Sequence, residues 1–246
     1  MKSAGLWTRG HRKDYDDWAN LVGDRQWSWD GFLSYFYKTE HHHNLNVDFK
    51  LHGRTGPVHT ASVSSSGRNY PLRDTLRAAL EALGVKHILD VNGGDEVGMA
   101  EEVENRTDSK RTVVAAAYPL SGVTILSETL ARRVIISPEK AAIGVELVDG
   151  RKFSAKREVI VSSGSFRIPQ VLMLSGIGPA INRHGIEPVV DSPEVGENLW
   201  DHLTSFQSWK LRHPEIGAAV GSTKWTDPAF KNRNRMDWVT IPSVPP

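Results

Sequence analysis

The chain has no cysteine. That excludes a disulfide framework, a thiolate nucleophile and a thiol-bound zinc site. It also lacks a charge excess. Thirty Lys and Arg stand against 29 Asp and Glu, for a net charge of +1, so neither nucleic acid nor an anionic membrane surface is indicated as a partner. No apolar run is long enough to span a bilayer, and Met1 to Trp7 holds no apolar core of signal-peptide length. A glycine-rich phosphate loop after a strand is missing as well. Gly93-Gly94-Asp95-Glu96-Val97-Gly98 breaks Gly-x-Gly-x-x-Gly at Asp95, and Gly176-Ile177-Gly178 follows a helical pattern and breaks at Ile181.

What is present is ordinary globular composition over 246 residues, 39% hydrophobic and 24% charged. Asp14–Leu21 and Asp30–Lys38 carry apolar residues at helical spacing, with Asp14 and Asp30 placed to cap or favour the helix starts. Tyr15, Trp18, Trp27, Trp29, Phe32, Tyr35, Phe36 and Tyr37 are read as the packing of a small helical core. His41-His42-His43 then reads as a solvated polar loop, since adjacent imidazoles in a loop share no metal-binding face. His52 to Val58 reads as a glycine-proline turn leading into a strand. Leu72–Leu83 is an amphipathic helix ended by Gly84. Val91–Asp108 reads as a loop and Lys110–Tyr118 as a helix stopped by Pro119.

From Val123 the pattern turns to short strands: Val123–Leu126, Ala131–Ile136, Ala142–Leu147 and Lys152–Ala155, with Asp149-Gly150 as a hairpin turn. Arg157–Ser162 is almost continuously apolar, the expectation for a strand buried on both faces. A small-residue turn at Gly164-Ser165 and a helix from about Pro169 to Leu174 follow, then Ser175-Gly176-Ile177-Gly178.

The run Gly164-Ser165-Phe166-Arg167-Ile168-Pro169-Gln170-Val171-Leu172-Met173-Leu174-Ser175-Gly176-Ile177-Gly178 resembles the second signature of the glucose–methanol–choline (GMC) oxidoreductases, a family of FAD enzymes. One position departs: Ile168 stands where the signature has Ser or Thr. Other segments are similar to the family in the same order. They are Trp7-Thr8-Arg9-Gly10 with Asp14-Tyr15-Asp16-Asp17-Trp18-Ala19, Trp27-Ser28-Trp29, Tyr35 to Glu40, His52-Gly53 to Val58, Gly144-Val145-Glu146, Val195 to His202 and Asn234 to Trp238.

The resemblance implies an α/β fold: part of a Rossmann-like, GMC-type FAD-binding domain interleaved with part of an α+β substrate-binding domain. The implied division is 1–50 as a flavin-proximal segment and 51–120 as partial substrate domain with connecting helices. Residues 121–200 would form the FAD-domain core, and 201–246 the start of a substrate-domain sheet. FAD is the implied cofactor and a small-molecule alcohol the implied substrate. Ala131 aligns with the position whose backbone pairs with adenine. Gly164 and Ser165 align beside the pyrophosphate or ribose. Asn198 and Asp201 fall in a turn near the cofactor, their side chains tying loop backbone.

The same alignment places the family's pyrophosphate loop before Met1, its flavin-contacting Asn or His on Ser3, and its catalytic His beyond the last histidine, His213. The chain therefore reads as an internal fragment, inactive alone. His184, His202 and His213 are read as structural or surface residues, and no catalytic residue is assigned. A non-catalytic relic or incomplete gene model, and a cyclase on the GMC scaffold acting in natural-product biosynthesis without net oxidation, stand as alternatives. At Ile168 the signature's helix cap is lost, and Ser165 is a substitute cap for an earlier start.

Overall fold

The computed structural model describes residues 5–66, 70–95, 97–107, 110–179, 184–201, 205–218 and 238–243. Ser3, His202 and most of Asn234–Trp238 lie outside them. The chain forms two compact units, one of Met1–Ser121 with Leu203–Pro246 and one of Gly122–His202.

The first unit opens with helix α1, Arg12–Val22, whose start is capped by His11: its Nδ1 accepts the Lys13 N–H at 3.0 Å. Gly23 takes the left-handed conformation, φ +70°, and closes the helix onto Ala19 O. A short 3₁₀ turn, Arg25–Trp27, leads to helix α2, Trp29–Thr39, where Ser28 Oγ accepts the Gly31 N–H at 3.2 Å. Asp14 and Asp30 therefore sit in first turns rather than at caps. Trp29 is 0% exposed, with the rings of Tyr15 and Phe36 at 5.5 and 5.8 Å. Trp18, Trp27 and Tyr35 are exposed at the rim of this aromatic core.

Of His41–His43, read as loop, the first two form a strand with Glu40. β1, Glu40–His42, pairs in parallel with β2, Val58–Ser62, in the register Glu40↔Val58, His41↔His59, His42↔Thr60. β3, Val103–Glu104, adds antiparallel to β2. The strand is too short to show a period, and its pairing is fixed by the turn that follows. A Cβ on Gly53 would collide with Tyr37 O and approach Glu40 O to 2.6 Å. Only glycine lets the backbone return this closely.

Helix α3, Arg73–Ala82, matches the amphipathic pattern, and Gly84 follows at φ +86°. The expected helix over 110–118 is not formed. Its start is split between a hairpin, β4 Arg106–Thr107 with β5 Lys110–Arg111, and a single turn, α4 Val114–Ala117. Thr112 N–H pairs with Asn105 O at 2.8 Å, so pairing takes the first residues before a helix can start.

In the second unit, β6 Ala131–Ile136, β7 Ala142–Leu147 and β8 Lys152–Ser154 make an antiparallel sheet in that order. The β7–β8 turn uses Gly150 at φ +88°, and Asp149 Oδ1 accepts the Arg151 N–H at 3.0 Å. Helix α5, Arg167–Leu174, packs on β6. Ser175 Oγ locks that contact: it accepts the Val134 N–H at 2.8 Å and donates to Val171 O at 2.6 Å.

Two expected strands of this unit are absent among the described residues. Val123–Leu126 and Arg157–Ser162 are both irregular, with Ile160 77% exposed. An apolar run becomes a strand only against a partner, and no described segment pairs with either. The first unit also contains an antiparallel pair, β9 Ser205–Lys210 with β10 Trp238–Ser243. No described helix is long and apolar enough to cross a membrane.

Candidate functional site

In the second unit, Ala131, Gly164, Ser165, Asn198 and Asp201 are all exposed. Ala131 opens β6, the edge strand of its sheet, paired with Leu147 on one side. Gly164 has φ +82°, and nothing lies within 4 Å of the place its Cβ would occupy. Its carbonyl accepts the N–H groups of Arg167 and Ile168 at 3.0 and 2.9 Å. Phe166, and not Ser165, is the residue at the helix cap, and no side chain caps α5. Ile168 is the second residue of α5, past its cap position. This open glycine turn ahead of a helix fits a bulky ligand, because its backbone can be approached without meeting a side chain. Asn198, at φ +53°, donates from Nδ2 to Glu194 Oε2 at 3.0 Å. That contact joins two side chains, in place of the expected tie to loop backbone.

The first unit holds a buried charge network that the sequence did not announce. His52 is gripped at both ring nitrogens, Nδ1 lying 2.9 Å from Glu40 Oε1 and Nε2 2.8 Å from Asp90 Oδ2. Glu40 also receives the Arg9 guanidinium, Trp7 Nε1–H at 3.1 Å and Gly53 N–H at 3.1 Å. Arg9 donates its backbone N–H to Asn92 Oδ1 at 2.8 Å and Nη1 to Leu51 O at 2.6 Å. Two cations meet two anions, so the cluster is closed in charge as well as in hydrogen bonds.

Burial works against charge on His52, but the hydrogen bonds to Asp90 and Glu40 outweigh it and hold the ring protonated above its ordinary value. Burial likewise opposes the ionised forms of Glu40 and Asp90, and bonding to His52 leaves both below the usual carboxylate range. His42 stacks on His52 with centroids 4.1 Å apart. Its own burial and the His52 charge push it down to about 4. His42 Nδ1 lies 2.9 Å from Thr60 Oγ1, while Nε2 has no hydrogen-bond partner among the described residues.

A cavity of about 460 Å³ opens beside this network, lined by His42, Asp90, Arg73, Leu76, Met99 and Glu101 among others. Chemically, the network braces rather than reacts. With a proton on each nitrogen, His52 has no lone pair to act as a base. The spacing signal for it was faint: Arg9, Glu40, His52 and Asp90 are far apart in sequence, and the turn at Gly53 returns only His52 to Glu40.

The family model described as GMC oxidoreductase matches residues 3–204. The chain belongs to the GMC oxidoreductase family. The GMC-type oxidoreductase acuG of Aspergillus aculeatus is 40% identical over 243 residues, covering 97% of this chain and 43% of that protein. The oxygen-dependent choline dehydrogenase of Brucella anthropi is 34% identical over 218 residues, covering 85% and 38%. An FAD-dependent oxidoreductase from Chaetomium thermophilum has a similar structure, with TM-score 0.75 and 27% identity over 83% of this chain and 38% of that one. The chain thus spans less than half the length of these GMC relatives. GMC oxidoreductases are FAD-dependent, and the α/β fold described above is that of a partial FAD-binding domain.

Proposed function

We propose that this chain supplies one wall of the FAD site of a flavoenzyme that oxidises a small-molecule alcohol to an aldehyde or ketone. Residues 121–200 form the FAD-domain core in this reading, and 51–120 with 201–246 belong to the substrate side. The observation that carries the reading is the Gly164-Ser165 turn, glycine at φ +82° with open space before α5, inside the GMC match. Bound FAD supplies the acceptor for hydride from the carbinol carbon. Gly164 and Ser165 offer unobstructed backbone to its pyrophosphate or ribose. Ala131, on the outer edge of β6, offers backbone hydrogen bonds to adenine. Asn198 and Asp201 hold the neighbouring turn.

No residue of this chain is assigned to removing the alcohol proton. Both nitrogens of His52 are held by carboxylates, and His184 and His213 are exposed. These 246 residues alone are therefore not expected to couple an alcohol to flavin. The test is anaerobic mixing of the chain and FAD with a panel of primary and secondary alcohols. The visible flavin band stays unchanged if the reading holds; bleaching by any of the alcohols contradicts it.

A further inference from the structure

The three consecutive imidazoles at 41–43 fall on two faces: His41 and His42 end β1, and His43 follows it directly. Successive side chains of a strand point to opposite faces. His42 is buried against His52, while His41 and His43 share the other face. The parallel register sets His59 of β2 directly beside His41. The result is a second histidine cluster, outside the charge network. His41 and His43 stack with centroids 4.6 Å apart, His59 lies 4.8 Å from His41 and 5.0 Å from His43, and His43 Nε2 is 2.8 Å from His59 Nδ1.

We propose that His41, His43 and His59 form a binding site for a single divalent transition-metal ion of the Zn(II), Ni(II) or Cu(II) class. One chelating nitrogen from each residue lies within 4.8 Å of the others. Ligation at about 2.0–2.1 Å in tetrahedral geometry sets nitrogens roughly 3.3 Å apart. The observed spacing brackets that value, so the rings need only open from their stack while the backbones stay paired. The 2.8 Å contact between His43 and His59 also requires a bare nitrogen on one of them, which is the form that binds metal. All three donors are imidazole, which suits these ions and excludes calcium and magnesium, whose ligands are oxygens.

His43 is exposed and His41 and His59 are half-buried, so the cluster is open to solvent. Glu40, His42 and His52 also gather within ligand range. That set is fully buried, and Arg9 and Asp90 already occupy Glu40 and His52. One nearby charge opposes the proposed ion. Arg54 bridges to His41, is anchored on His42 O and Asn44 O, and lies 4.1 Å over the Phe49 ring. The site therefore holds an exchangeable ion, with water completing its coordination.

The test is calorimetric titration of the tag-free chain with zinc or nickel chloride. One equivalent binds, and each of H41Q, H43Q and H59Q weakens binding by about tenfold or more. H87Q and H213Q, outside the cluster, leave it unchanged. A second measurement needs no variant: substoichiometric Cu(II) broadens the imidazole NMR signals of His41, His43 and His59 before those of His87 and His213. Absence of saturable binding, undiminished binding in the triple H41Q/H43Q/H59Q variant, or broadening that begins at His87 or His213 would overturn the proposal.

Discussion

His42 and His52 lie ring on ring, 4.1 Å between centroids, and they carry different charges. His52 is an imidazolium between two carboxylates, and His42 is a neutral ring beneath it. Two stacked imidazoles buried together would repel if both were charged. The protein settles this by giving the carboxylates to one ring and a hydroxyl, Thr60, to the other.

Stability should fall on both sides of neutrality. His52 is raised above its ordinary 6.5, so its contribution is complete below that value and is lost as pH rises through the higher folded value. Asp90 is held below its ordinary 3.8, so its contribution is present above that value and is lost as pH falls through the lower folded one. Thermal unfolding across pH checks this. A melting temperature that keeps rising into the alkaline range would contradict it.

Glu40→Gln strands Arg9 and His52 without their shared counterion. Removing one partner of a buried pair costs about 3–5 kcal/mol. Asp17→Asn, which breaks the exposed Lys13–Asp17 pair, leaves urea unfolding unchanged. Equal effects in the two variants would deny the network its bracing role.

The two turn glycines should respond differently. At Gly53 an added methyl meets backbone of Tyr37 and Glu40, which cannot yield, so Gly53→Ala is expected not to fold. At Gly164 there is open space, and Gly164→Ala pays only for a left-handed conformation, about 1–2 kcal/mol. Circular dichroism and denaturant midpoints of the pair decide this.

Ser175→Ala removes the hydroxyl that joins α5 to β6 and leaves the buried Val134 N–H without its acceptor. The cost is about 1–3 kcal/mol, read from denaturant unfolding. Ser175→Thr retains the hydroxyl and should recover part of the loss. This places the serine of the Ser-Gly-Ile-Gly run in packing rather than in chemistry.

Much of the fold could be read from the sequence where a signal repeats. The apolar spacing of α1, α2 and α3, and Asp149-Gly150 between two β-branched runs, give elements that the structure contains. Elements that depend on a distant partner were not legible. His41–His43 has loop composition, yet His41 and His42 become strand because Val58–Ser62 lies alongside. Arg157–Ser162 has strand composition and remains unpaired among the described residues. The Arg9–Glu40–His52–Asp90 network joins four segments, and no local pattern records that meeting. The open turn at Gly164 was legible because glycine and serine ahead of a helix are themselves the signal.

The assignment of the FAD wall is tested most directly by photolabelling the chain with an FAD analogue that carries an azide at C8 of its adenine, and mapping the labelled peptides. Labelling that is saturable, competed by FAD and located near Ala131 and in the Gly164–Arg167 peptide is the result this account predicts. Labelling confined to residues of the first unit, or insensitive to FAD, would contradict it.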